Sequence, residues 1–322
     1  MDPKTHSSAA PSSSARGGSQ DRSWRGRGRG RGRGREGFGG GPPTRDGGHH
    51  GLSNTASAAV VPRAPRHPAP RPRLTHFLAL PLGHHAGLRQ KLTSFTTALL
   101  HSNPAIPGLD ESIVVSARRM HLTLGVMSLT ERDSGHSGET SSSPPRTLHS
   151  AAALLQKVKP GIMALLSGHK LQVALKRVDI MKPERGSLDK AHVFWAGPPE
   201  DGDDVARLKA VSHFIHDEFV KAGLVVDEKR PLKLHCTVLN TTYRKPRGDR
   251  LPFSYSALLA TPAFKTIERM PSVLPPDDPR ARGKAPISVD LGEWTVDEVQ
   301  ICEMGSYGPQ GEYVAAARCR LD

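Results

Sequence analysis

Arg119-Met-His121-Leu-Thr123-Leu-Gly-Val126 and Lys233-Leu-His235-Cys-Thr237-Val238 carry one pattern: basic, apolar, His, apolar, Thr, apolar. Alternation of this kind marks a half-buried strand, because successive side chains point to opposite faces. On that reading Arg119, His121 and Thr123 share one face, while Met120, Leu122, Leu124 and Val126 share the other. Likewise Lys233, His235 and Thr237 lie opposite Leu234, Cys236 and Val238. Each strand buries aliphatic residues and presents a cation, an imidazole and a hydroxyl.

Each stretch closes a longer unit. The first opens on a strand with His76-Phe77 and passes through a helix marked by Leu88, Leu92, Phe95 and Leu99. The second opens on His192-Val-Phe194 and passes through a helix bearing Val205, Leu208, Val211, Ile215 and Phe219. The His-to-His separations, 45 and 43 residues, nearly agree. This repeat predicts two similar lobes related by a pseudo-twofold axis. Sixteen His and 17 Thr in 322 residues predict about one His-x-Thr by chance. These two are the only ones, and both sit at the same place in the repeat.

Further strands are expected at 74–82, 120–129, 171–180, 192–196, 232–240, 287–291, 296–304 and 313–321. A helix over 148–166 should break at Pro160-Gly161, and Asp203 or Asp204 should cap the second-repeat helix, which Gly223 closes. Strands interleaved with helices give an α+β domain of two sheet-plus-helix lobes around a central groove. Its boundaries are expected at 74–322, with flexible polar loops at 131–147 and 265–286.

Residues 1–73 read differently. They hold 14 Lys/Arg against 4 Asp/Glu, so a net of +10 out of the chain's +14 sits there. With almost no large apolar side chain, this segment cannot offset its ordering entropy, and it is expected to be a disordered tail. Within it Arg25, Arg27, Arg29, Arg31, Arg33 and Arg35 alternate with glycine, a tract suited to salt-sensitive contact with nucleic acid, RNA above DNA. No stretch of about 18 apolar residues exists, so no membrane span is expected. The N-terminus lacks an apolar signal segment, which argues against secretion. Cys236, Cys302 and Cys319 form neither a CxxC pair nor a disulfide framework, so reduced thiols and an intracellular compartment are expected, with Cys236 on the core face. His213 and His216 share a helix face but lack the partners of a zinc site.

If the lobes face one another, the groove gathers two imidazoles, two hydroxyls and up to two cations. Histidine titrates near 6.5, so one ring can accept a proton while the other donates one. Thr123 and Thr237 can hydrogen-bond phosphate oxygens, and Arg119 and Lys233 can offset transition-state charge. The arrangement suits in-line phosphoryl chemistry with no metal and no cofactor.

At this point the chain resembles the two-histidine phosphoesterase superfamily, named for paired His-x-Thr/Ser motifs. More narrowly it is similar to the A-kinase-anchor-protein-7-like phosphoesterase domain, also found in a subunit of the activating signal cointegrator 1 complex. The likeness is carried by Met120-His-Leu-Thr-Leu-Gly-Val-Met-Ser-Leu129, Leu234-His-Cys-Thr-Val-Leu-Asn-Thr241 and Val299-Gln-Ile-Cys-Glu-Met304, and covers about residues 74–321. It implies a bilobal α+β fold and cleavage of 2′,3′-cyclic or 2′,5′-linked phosphodiesters of RNA or nucleotides. It also implies catalytic roles for His121 and His235 and phosphate binding by Thr123 and Thr237. The cointegrator subunit carries a KH domain ahead of this domain, where the present chain has the Arg-Gly tract. Gly305-Ser-Tyr-Gly308 and Gly308-Pro-Gln-Gly311 match a KH-type GxxG, but they join two strands and read as a hairpin turn. The expected partner is an RNA or nucleotide phosphodiester, bound by a monomer in the nucleus, with the cytoplasm as a second compartment. The alternative is a non-catalytic adaptor of a nuclear transcription or DNA-repair complex, using the same groove to bind RNA or nucleotide.

Overall fold

The first repeat is a strand β1 (His76–Pro81), a helix α1 (Ala86–Leu100) and a strand β2 (His121–Met127). Leu88, Leu92, Phe95 and Leu99 make one buried stripe along α1, which turns that face of the helix into the core. The computed structural model describes residues 72–130, 146–226, 230–248, 250–269 and 286–322, all within one unit, His67–Asp322. The Arg25–Arg35 tract and most of the two expected loops lie outside the described residues.

Two helices follow, α2 (Leu148–Lys157) and α3 (Lys159–Leu166). Thr147 and Ser150 cap α2 reciprocally, each side-chain oxygen accepting from the other's backbone N–H. The helix breaks at Val158, two residues before the expected Pro160-Gly161, because Pro160 fits the first turn of the next helix, where no N–H is needed. Strands β3 (Leu171–Ala174) and β4 (Arg177–Ile180) divide what reads in the sequence as one run.

The second repeat is β5 (Val193–Gly197), α4 (Asp203–Lys221) and β6 (Cys236–Asn240). Gly202, not Asp203 or Asp204, is the N-cap of α4. Both aspartates sit in the first turn, where their charge meets the positive end of the helix dipole. Gly223, at φ +69°, supplies the left-handed turn after the helix. Short helices α5 (Tyr255–Leu259) and α6 (Pro262–Lys265) precede β7 (Ile287–Ser288), β8 (Glu293–Val296), β9 (Glu298–Tyr307) and β10 (Tyr313–Arg320). Gly308–Gly311 forms the β9–β10 turn and Gly305–Tyr307 ends β9, so both GxxG stretches belong to a hairpin.

The fold is α+β. Its two four-stranded antiparallel sheets have orders β10-β9-β1-β2 and β6-β5-β4-β7, with β3 and β8 paired separately. The repeats correspond in register. Ala79 pairs with Thr123 and Trp195 with Thr237, and in both a bulge follows directly, between Leu78 and Ala79 and between Phe194 and Trp195. The segment that leads into β2 lies against β6, the Val115 N–H donating to the Val238 carbonyl at 2.9 Å. A bulge sets two residues against one and inverts the alternation beyond it. Val126 therefore leaves the face of Leu122 and Leu124 and joins Phe77, Ala79 and Cys302, while Met127 enters the main core. The alignment also shows that the two aromatics of the motif are not equivalents: Phe194 matches core residue Leu78, and Phe77 lies on the opposite face. Cys302 and Cys319, on neighbouring strands, fall into different clusters rather than meeting, and all three thiols are free and buried.

Candidate active site

A turn of 3-10 helix, Ala117–Arg119, delivers the chain to β2, with Ser116 accepting from the Arg118 N–H at its start. The N–H groups of Leu82 and Gly83 both donate to the Met120 carbonyl, at 2.8 and 2.9 Å, which clamps the approach to His121. Arg119 therefore stands in a turn and not in the strand. Lys233 and His235 likewise precede β6, which begins at Cys236. Strand alternation thus accounts for His121 with Thr123, but not for either cation.

What the two basic positions do supply is a carbonyl. His121 Nδ1 lies 2.7 Å from Arg119 O, and His235 Nδ1 lies 2.8 Å from Lys233 O. A carbonyl only accepts, so each Nδ1 carries the proton and each neutral ring keeps its lone pair on Nε2. The same bond to the residue two positions back thus sets the same tautomer in both repeats. His121 Nε2 also accepts from the Thr123 hydroxyl at 3.0 Å. His235 has no matching bond to Thr237 among the described residues.

Burial, opposed in part by that carbonyl and reinforced by the charges of His235 and Arg119, pulls His121 down to about 4. His235 is lowered as well, first by burial and then by Lys233 and Arg230, against its own carbonyl bond. The charge of His235 is thus one cause of the His121 shift, which places the two rings within electrostatic reach. The β2 and β6 sites also touch directly, for the Cys236 thiol bonds the backbone of His121 while burial drives its ionisation far upward. Cys236 is a core thiol and no nucleophile.

Aromatic rings surround the histidines, and most were not legible as site residues. His121 lies 5.0 Å from Phe77 and 5.3 Å, edge-on, from Tyr313. His235 meets the edge of Trp195 at 6.4 Å, and Lys233 sits 4.1 Å over that indole. The Arg119 guanidinium lies 4.8 Å from Tyr307 and 5.8 Å from Tyr243. Tyr243 hydrogen-bonds Tyr313, so residues from β6's end and the β9–β10 hairpin converge beside His121. Only Phe77 had a sequence signal, through the repeat.

A cavity of about 880 Å³ opens beside His121, along the face of β1, β9 and β10. Arg119 lines it; Thr123, Lys233, His235 and Thr237 do not. The space therefore lies to the first-lobe side of the histidine pair. Among the described residues no group of three His, Cys, Asp or Glu converges as metal ligands do, and no helix is long and apolar enough to cross a membrane.

Two β–α–β repeats, each bringing a His-x-Thr to the edge strand of its own four-stranded sheet, define a two-histidine phosphoesterase fold. Within that class, the family model described as the AKAP7 2′5′ RNA ligase-like domain matches residues 74–321, and the chain belongs to this family. The match supports a phosphodiesterase-type activity. Mouse "Activating signal cointegrator 1 complex subunit 1" is 25% identical over 180 residues, which are 54% of this chain and 44% of that protein. The chain thus spans less than half the length of this curated relative. Among solved structures, E. coli LigT complexed with 3′-AMP is 14% identical, over 77% of this chain and 98% of that one, with a TM-score of 0.40. TT0787 of Thermus thermophilus is 17% identical over 77% and 97%, also with a TM-score of 0.40.

Proposed function

We propose that this chain is a metal-independent phosphodiesterase acting on 2′,3′-cyclic or 2′,5′-linked phosphodiesters of RNA or nucleotides, with His121 and His235 as its acid–base pair. The observation that carries this is the matched hydrogen bonding, Nδ1–H to the carbonyl two residues back, in both repeats. It leaves both Nε2 atoms as the reactive nitrogens. His121 is the base: burial and the Arg119 charge hold it unprotonated, and its Nε2 already acts as an acceptor. An entering phosphate takes the Thr123 hydroxyl onto a non-bridging oxygen, which releases that lone pair. On a cyclic phosphate, water attacks phosphorus as His121 takes its proton. The bond to one ribose oxygen breaks, and His235 protonates that leaving oxygen. The two rings then exchange protons with solvent. Thr237 donates to a phosphate oxygen, and Arg119 and Lys233 offset the phosphate charge. Each proton transfer supplies about 10²–10⁴-fold.

The test is incubation of the full chain with 2′,3′-cyclic, 2′,5′- and 3′,5′-linked substrates in chelator, resolving product ends. Turnover of the first two classes is expected; binding without product from any of them rejects the reading. The mouse relative's description as a complex subunit favours a second reading, a nuclear adaptor whose groove binds RNA without cleaving it, and binding without product is its outcome. The Arg-Gly tract of the tail supports RNA contact and a nuclear location, so deleting residues 1–73 should weaken RNA binding while leaving turnover in place.

A pH dependence follows. The free enzyme is active when His235 is protonated and His121 is not. Both sit below 6.5, His121 at about 4. Raising the pH strips His235, and lowering it through about 4 protonates His121. The maximum of kcat/KM should lie between about 4 and 6.5, with a fall of about tenfold per pH unit above it. A maximum above neutrality in a kcat/KM profile would contradict the assignment.

A further inference from the structure

The cavity beside His121 is lined by Arg89, Arg118, Arg119, Lys170, Arg318 and Arg320. Four carboxylates face it as well, but most are committed. Glu298 holds Arg318 at 2.6 Å, Glu312 accepts from the Gln310 backbone at 3.0 Å, and Asp322 reaches Lys159 at 3.8 Å. Asp297 is the fourth. By contrast, five of the six cations lack a carboxylate partner among the described residues. Arg118 binds the neutral amide of Gln310, Arg89 binds the carbonyls of Gly83 and His84, and Arg119 rests on tyrosine rings with its buried Nε unpartnered. Lys170 and Arg320 are exposed at the cavity wall. At about 880 Å³ the space is near the top of the roughly 300–1,000 Å³ range of small-molecule clefts. A phosphodiester end alone needs none of the positive charge that continues past His121.

We propose that this cavity is a strand track: it binds the phosphates of a single-stranded RNA that continues away from the scissile group at His121, with Lys170 and Arg320 as its distal contacts. The proposal rests on the phosphodiesterase reading and adds that the substrate is an oligonucleotide rather than a mononucleotide. Cations on a cavity wall that have no carboxylate partner attract an anion from solvent, and a polyanion engages several at once, releasing its counterions. Each neutralised phosphate steepens the salt dependence of binding to a single strand, by about 0.7 in the log–log slope.

The experiment compares the full chain with a Lys170→Gln/Arg320→Gln variant on two substrates with the same 2′,3′-cyclic end, a dinucleotide and a fluorescein-labelled RNA of about ten nucleotides. The expected result is a roughly 10- to 100-fold rise in KM for the long substrate and a salt slope shallower by about 1.4, with the dinucleotide's KM changed less than about twofold. The tail is common to both proteins, so the difference reports the cavity. A Lys170→Arg/Arg320→Lys variant should behave as the parent, which separates lost charge from misfolding. An unchanged slope, or equal weakening for both substrates, overturns the track. If the parent cleaves neither substrate, the catalytic reading falls, and the same contrast read as Kd by anisotropy still decides the track.

Discussion

Alanine at His121 or at His235 should lower kcat by about 10²–10⁴-fold, measured with chelator present, while substrate affinity falls only a few-fold. The two losses should not add. Residues acting as one acid–base unit fail together, so the double variant should resemble the worse single variant. Binding should survive because most charge available to a phosphodiester sits elsewhere, on Arg119, Lys233 and the cavity wall. His121 packs against Phe77 and Tyr313, so its removal leaves space in a small aromatic cluster. A thermal melt on the same samples separates that packing loss from lost chemistry. Full activity in the double variant would end the acid–base proposal.

The alternation around His121 could be read directly because the strand keeps its parity there: Leu122 and Leu124 are fully buried, while His121 and Thr123 are only partly so. The helices were legible for a similar reason, since α1 and α4 each bury an uninterrupted apolar stripe. The reading failed where parity breaks or was never established. A bulge costs nothing visible in composition, so Val126 was assigned to the core face and lies on the other. Arg119 and Lys233 continue the alternating pattern in letters, yet their backbones are a 3-10 turn and an unpaired segment. Their carbonyls, which carry no side-chain signature, are what orient the imidazoles. Tyr243, Tyr307 and Tyr313 were missed because they reach His121 and Arg119 through a hairpin and a turn remote in the chain, and no local period reports such a meeting. The core thiol at Cys236 was legible, because one residue between His235 and Thr237 must face the opposite way.

Gly83→Ala should disturb both stability and catalysis, although Gly83 has no side chain to offer a substrate. A Cβ there would stand 2.0 Å from the Arg118 carbonyl oxygen and 2.4 Å from its carbon. Those are backbone atoms, so no rotamer change relieves the clash, and one of two main-chain segments must move. Both are committed. Gly83 donates to Met120 O at 2.9 Å, and its own carbonyl accepts from Arg89 at 3.2 Å. The segment that yields is expected to be the short turn Ala117–Arg119, and with it goes the Arg119 carbonyl that fixes the His121 tautomer. Overpacking of this kind costs about 1–3 kcal/mol, which for a domain of this size lowers Tm by several degrees. A displacement near 1 Å in the group that orients the base costs about 10²-fold in kcat/KM. Gly248→Ala is the control, since a Cβ there meets nothing within 4 Å and no positive φ is involved; it should shift stability by less than about 0.5 kcal/mol. If Gly83→Ala melts lower but keeps full kcat/KM, the turn moves without its carbonyl mattering to His121, and the orienting role argued for Arg119 O is wrong.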